Sequence, residues 1–214
     1  MEVVSSLKDP HASMALRKRL EEAGVVFEFV AYEVSPGVAV DEALHRQAVN
    51  ALFEQVLADR RERHRLFIQD PRYADVPFGA YLTWDLDRAR ISPLTLEDIQ
   101  DLSRTDLQDG PAALFRAFCN PPYGTRFAAG DDEASALFSQ WLAHLGLEPG
   151  EPLQVLDWVK GYELDWQDST ESPADSELWS DYFDEGLEWW GVWCLSIWNP
   201  ARRSLSVVLA STTD

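Results

Sequence analysis

The stretch Gly191–Ala210, GVWCLSIWNPARRSLSVVLA, decides how the chain folds. Gly191–Trp198 and Ser204–Ala210 are rich in β-branched, aromatic and aliphatic side chains, which suit a pleated, half-buried surface. Asn199-Pro200-Ala201-Arg202-Arg203 between them is a turn signal. The two runs are expected to pair as an antiparallel hairpin at the centre of a sheet.

Directly upstream the character changes. Residues 178–198 hold five of the nine tryptophans and four acids, with no Lys or Arg. Trp179, Asp181, Asp184, Glu185, Glu188, Trp189 and Trp190 are therefore the candidate binding residues. Interface anchors are enriched in Trp, and surrounding carboxylates steer a basic partner. The expectation is that these rings and acids share one solvent-reachable face. If the rings are core instead, the stretch carries no site. Further upstream, 161–178 (GYELDWQDSTESPADSEL) is acidic and poor in aliphatics, and reads as a long surface loop.

The first 150 residues read as mostly helical. Asp9-Pro10 opens a helix that Gly24 closes. Val25–Val34 reads as a strand. Val40–Arg65 reads as one long helix with Leu44, Ala48, Leu52 and Val56 on its apolar side. Its end, Arg60–Arg65, is the densest basic run, and it complements the helix dipole or faces an anionic group, the protein's own acidic half included. Leu66–Gln69 and Ala80–Leu86 are predicted as short strands. Thr95 and Asp98 suggest a capping box, and Ala112–Cys119 and Asp131–Leu145 are predicted helices, the latter ended by Gly146. A further strand is predicted within Leu153–Tyr162. The class that follows is α+β: a helical N-terminal two-thirds packed on an antiparallel sheet containing the C-terminal hairpin. One domain over 1–214 is expected, with 1–110 and 111–214 as the alternative division.

Composition narrows the function. The net charge is −19, and residues 130–214 carry 17 acids against three bases, a net of −14. Such a chain repels phosphates and attracts cationic partners, so nucleic acid is not an expected partner. No apolar run approaches a membrane span, so no membrane association is expected. The segment MEVVSSLKDP is neither basic nor followed by an apolar stretch, so no signal peptide is read and the expected location is the cytoplasm.

Chemistry-bearing motifs are few. Cys119 and Cys194 form no ligand cluster and read as small buried hydrophobes. Glu42-x-x-His45 has the spacing of a di-iron ligand pair but no second copy, and the four histidines read as structural. Asp165, Asp168, Glu171 and Asp175 could gather around calcium, yet their spacing is not that of an EF-hand, and a solvated loop is expected. No metal and no cofactor are expected.

Asn120-Pro121-Pro122-Tyr123-Gly124 resembles the motif of amino-methylating DNA methyltransferases, where the Asn holds the target amine and the aromatic ring stacks on the flipped base. The likeness spans these five residues. It follows an apparent helix rather than a strand, and no glycine-rich cofactor loop accompanies it. A proline-stiffened turn with Tyr123 packed on the core is the expectation. At the other end, Trp179–Asp184, Glu188–Gly191 and Ala210–Asp214 together resemble the end of an uncharacterised bacterial protein family, which brings no activity with it.

The functional expectation is an acidic protein-binding module, an inhibitor or immunity-type partner of a basic protein. The alternative is a carboxylate-dependent hydrolase acting on a carbohydrate, because paired acids beside aromatic platforms are what a glycosidase needs.

Overall fold

The computed structural model describes residues 10–79, 82–105, 113–148, 150–160, 179–184 and 190–212 of the chain. The described helices are α1 (Pro10–Ala23), α2 (Glu42–Phe67), α3 (Leu96–Leu102), α4 (Ala113–Cys119) and α5 (Asp131–Leu145). The strands are β1 (Glu28–Glu33), β2 (Ser92–Pro93), β3 (Gln154–Asp157), β4 (Val192–Asn199) and β5 (Ser204–Ser211). They form one antiparallel sheet in the order β1-β5-β4-β3-β2. The fold is α+β, with helices mostly N-terminal and the final two strands forming a hairpin.

The hairpin turn is held from outside. The Asn199 side chain accepts from the Arg202 amide at 3.0 Å and donates to the Gly146 carbonyl at 2.8 Å. Gly146 ends α5 at a φ of 77°, and a Cβ there would lie 2.7 Å from Ser204 Oγ. A glycine is thus required twice, by the left-handed backbone and by the close approach of the turn.

Alternation along β5 sends Leu205, Val207 and Leu209 to one face of the sheet and Val208 and Ala210 to the other. On the first face α2 lays down Leu44, Ala48, Leu52, Phe53 and Val56. On the second, α1, α4 and α5 pack Leu16, Leu20, Phe118, Phe138 and Trp141 against Phe27 and Phe29. β5, second in the sheet, is therefore buried on both sides, which is why Val207–Ala210 reads as an unbroken apolar run.

Local rules explain the starts of two helices. Asp41 caps α2 by accepting from the Leu44 amide at 3.0 Å. The predicted capping box opens α3: Asp98 accepts from the Thr95 amide, and Thr95 Oγ1 accepts from the Asp98 amide.

Two predicted strands are not strands. Leu66 and Phe67 complete α2, and Ile68 caps it, its amide donating to the His64 and Leu66 carbonyls. Of Ala80–Leu86, the described part makes a single bridge, Trp84 to Ser180, and then enters a 3-10 turn over Leu86–Arg88. Asp85 causes the switch by capping that turn through the Asp87 amide. The predicted Leu153–Tyr162 strand is shorter, Gln154–Asp157, and its short edge neighbour Ser92–Pro93 has no counterpart among the predicted elements. The predicted loop 161–178, with the calcium candidates Asp165, Asp168, Glu171 and Asp175, falls outside the described residues.

Candidate functional site

The candidate residues of the tail that lie among the described residues do not come together on one surface. Trp179 is 2% exposed and packs under α2 against Phe53 and Phe183, its indole N–H donating to the Trp158 carbonyl at 2.7 Å. Trp190 is 9% exposed and lies on the opposite side of the sheet, against Phe27. Asp181 acts structurally, its two oxygens accepting from the Thr83 amide at 2.9 Å and the Thr83 hydroxyl at 2.7 Å. That clamp, with Ser180 Oγ donating to the Thr83 carbonyl, straps 82–85 along the tail. Asp184 is exposed. Glu185, Glu188 and Trp189 lie outside the described residues.

A hollow of about 340 Å³ opens on the α5 side between α3, α4 and the start of β4. Its wall carries three carboxylates, Asp98, Asp101 and Asp157, and one base, Lys160, around the Trp193 indole and Leu94, Leu102 and Leu114. Alternation on β3 turns Asp157 to this face, beside Leu195 across the ladder. Burial pushes the Asp157 carboxyl above its ordinary value; amide bonds from Val159 and Lys160 and the Lys160 charge pull the other way, and Asp98 adds to the rise. Asp98 itself is held below the usual carboxylate range by the hydrogen bonds from Thr95. Asp101 is 3.5 Å from Arg104.

A second cleft, of about 840 Å³, lies at the β1 edge between α1 and the end of α2. Its rim mixes Arg17, Lys18, Arg60 and Arg63 with Glu21, Glu28, Asp59 and Glu62. Arg17 donates to the outward Phe29 carbonyl and stacks over the Phe29 ring at 5.2 Å, which blunts the free edge of the sheet. Tyr182 of the tail forms part of the floor, with Arg60 5.5 Å from its ring centre. Burial raises the Glu28 carboxyl and the Tyr182 hydroxyl; for Glu28, Arg17 and Arg63 pull down in turn.

Nucleophile chemistry is not assembled among the described residues. Ser196 Oγ bonds His45 Nδ1 at 2.8 Å and accepts from the Trp158 indole at 2.9 Å, but His45 and Ser196 are fully buried beneath α2. Burial lowers the His45 pKa to about 4, against the pull of Asp41 and Glu42. The Cys119 thiol is pushed up to about 11 and the buried Cys194 well above its ordinary value, both chiefly by burial, so neither is a ready thiolate. Among the described residues no group of three or more His, Cys, Asp and Glu could hold a metal, and no helix is long and apolar enough to cross a membrane.

The five-residue methyltransferase-like run is a turn after α4, and it corrects one expectation. Tyr123 is 81% exposed rather than packed on the core. Asn120 is turned back on its own helix, donating to the Arg116 carbonyl at 3.1 Å. No protein family, no curated protein and no solved structure matches the chain.

Sequence reasoning missed Asp98, Asp101, Asp157 and Trp193 as a group. Asp157 carried a faint signal, a lone acid at an inward position of an apolar run; the other three meet it only through the tertiary fold.

Proposed function

We propose that the chain is a non-enzymatic, cytoplasmic binding module for a basic protein, of inhibitor or immunity type. The observation that carries this reading is the hollow at Asp98, Asp101, Asp157 and Trp193. A guanidinium or ammonium entering it meets three carboxylates against one base, Lys160, with the Trp193 ring in the same lining, and carboxylates and aromatic rings are the groups that best hold a desolvated cation. Asp157 gains most, because an incoming cation offsets the burial that now disfavours its charge. The net charge of −19 adds long-range steering toward the same class of partner. The partner's anchor would thus be an arginine or lysine side chain rather than an apolar one.

The opposite shifts at Asp157 and Asp98 also support a second reading, a carbohydrate hydrolase with Asp157 as the acid. Against it, Asp98 is already committed to the cap of α3.

One experiment separates the two. Titration with an arginine-rich peptide, followed calorimetrically, is expected to give binding that weakens with salt. Replacing Asp101 and Asp157 together by Asn should weaken it about tenfold or more. Equal binding by the variant overturns the module reading. Hydrolysis of nitrophenyl glycosides that disappears in Asp157→Asn establishes the second.

A further inference from the structure

The cleft between α1, the β1 edge and the end of α2 carries both signs of charge, and most of them are spent on near neighbours. Arg17 lies 3.8 Å from Asp59 and also donates to the Phe29 carbonyl. Lys18 lies 3.7 Å from Glu22, and Glu62 holds Arg65. Glu21 is exposed to water on α1. Three groups that line the cleft are left over: Glu28, Arg60 and Arg63.

Glu28 is half-buried on β1, and among the described residues its carboxylate has neither a hydrogen bond nor an ion pair. Arg60 rests over the Tyr182 ring at 5.5 Å and makes no ion pair among those residues. Arg63 follows about one turn later on α2 and has no partner there either. The carboxylate leaves the sheet opposite Leu209 and the guanidiniums leave the helix, and the two signs do not close on each other. Between them lies an opening of about 840 Å³, lined in part by Leu20, Val25, Val56 and the buried Tyr182. That volume is in the range of small-molecule sites.

The leftover charges select the ligand. An anion drawn to Arg60 and Arg63 is repelled by Glu28, and a cation drawn to Glu28 is repelled by the two arginines. A molecule that carries both charges, separated by an apolar stretch, satisfies all three groups at once. Burial disfavours the Glu28 charge, and an ammonium set against it offsets that cost.

We infer that this cleft binds a small zwitterion, with its ammonium held by Glu28, its carboxylate held by Arg60 and Arg63, and its apolar spacer laid over Val25, Val56 and Tyr182. This site lies apart from the acidic hollow and does not depend on it.

Titration of the full chain with 6-aminohexanoate, followed calorimetrically, should give one saturable site with a dissociation constant of about 1 mM or tighter. Hexanoate and hexylammonium each carry half of that charge pattern and should bind about tenfold more weakly. Glu28→Gln should bring the zwitterion down to the level of hexanoate, and Arg60→Gln with Arg63→Gln should bring it down to the level of hexylammonium. All three side chains lie outside the core, so the far-ultraviolet spectrum should not change in either variant. A native chain without saturable binding overturns the inference. So does a zwitterion held no more tightly than its two halves, a comparison that needs no variant, or a folded Glu28→Gln chain that binds it as the native one does.

Discussion

The two faces of the sheet treat their tryptophans differently. Under α2, Trp84, Trp158 and Trp179 each donate the indole N–H, to Asn50, Ser196 and the Trp158 carbonyl. Under α5, the N–H groups of Trp141, Trp190 and Trp193 meet no acceptor among the described residues. Both faces are dense in aromatic rings. The α5 face sets its indoles by ring packing, with Phe27, Phe118 and Phe138 around Trp141 at 5.0 to 5.9 Å between centres, while its helices are tied by Ser13 Oγ to His144 Nε2 at 2.8 Å. The α2 face adds a chain of polar contacts, His45 to Ser196 to Trp158 to Trp179, that fixes which ring sits where. An unpaired buried N–H costs about 1–3 kcal/mol, so tight packing under α5 is offset in part by lost hydrogen bonds. The polar chain gives the α2 face a unique arrangement and, through His45, a dependence on acid.

The largest test of that contrast is acidification. His45 titrates lower in the fold than in the unfolded chain, so the unfolded state binds more protons between the ordinary value of 6.5 and about 4. Stability should be complete above this window and fall as pH drops through it, by about 3 kcal/mol for a shift of this size. The raised carboxyls of Glu28 and Asp157 act in the opposite sense and soften the fall. Urea midpoints measured at neutral pH and near pH 4.5 should differ accordingly, and His45→Leu should flatten the difference. An unchanged acid limb in that variant would show that the α2 face is not the sensor.

A smaller effect comes from trimming one ring on each side. Trp158→Phe removes a donor to Ser196, whereas Trp141→Phe removes an N–H that has no acceptor. Cavity losses being similar, Trp158→Phe should cost about 1 kcal/mol more in chemical denaturation. Equal costs would erase the distinction between the faces. Smallest is Asn50→Ala, at the rim of the α2 face, which deprives Trp84 of its acceptor at 2.8 Å. A loss of about 0.5–1 kcal/mol is expected there, read as a shift of the thermal midpoint.

Much of the fold was legible because its signals are local. The Asn199–Arg203 turn, the Thr95–Asp98 box and the glycine after Leu145 each state their conformation within a few residues. The α2 pattern was legible too, but not where the sheet beneath it stops, so Leu66 and Phe67 resemble the start of a new element. The tail defeats sequence reasoning for a different reason. Trp179 and Trp190 are eleven positions apart, and nothing in that spacing tells which face of a sheet each will meet. Tryptophan and acid in alternation describe a docking surface and a core lid equally well, and only the bonds to Trp158 and Thr83 decide for Trp179 and Asp181.

The strand order carries a consequence for biosynthesis. β5 sits between β1 and β4, so the first strand to leave the ribosome finds its ladder partner only when residues 204–211 have followed. Until then Phe27, Phe29 and Val30 have helices to lean on but no neighbouring backbone. Pairing across such a separation is slow, and the nascent chain presents an open strand edge for most of its translation. A ribosome that stalls before Ser204 would therefore release a polypeptide prone to aggregate, whatever its helices have already achieved.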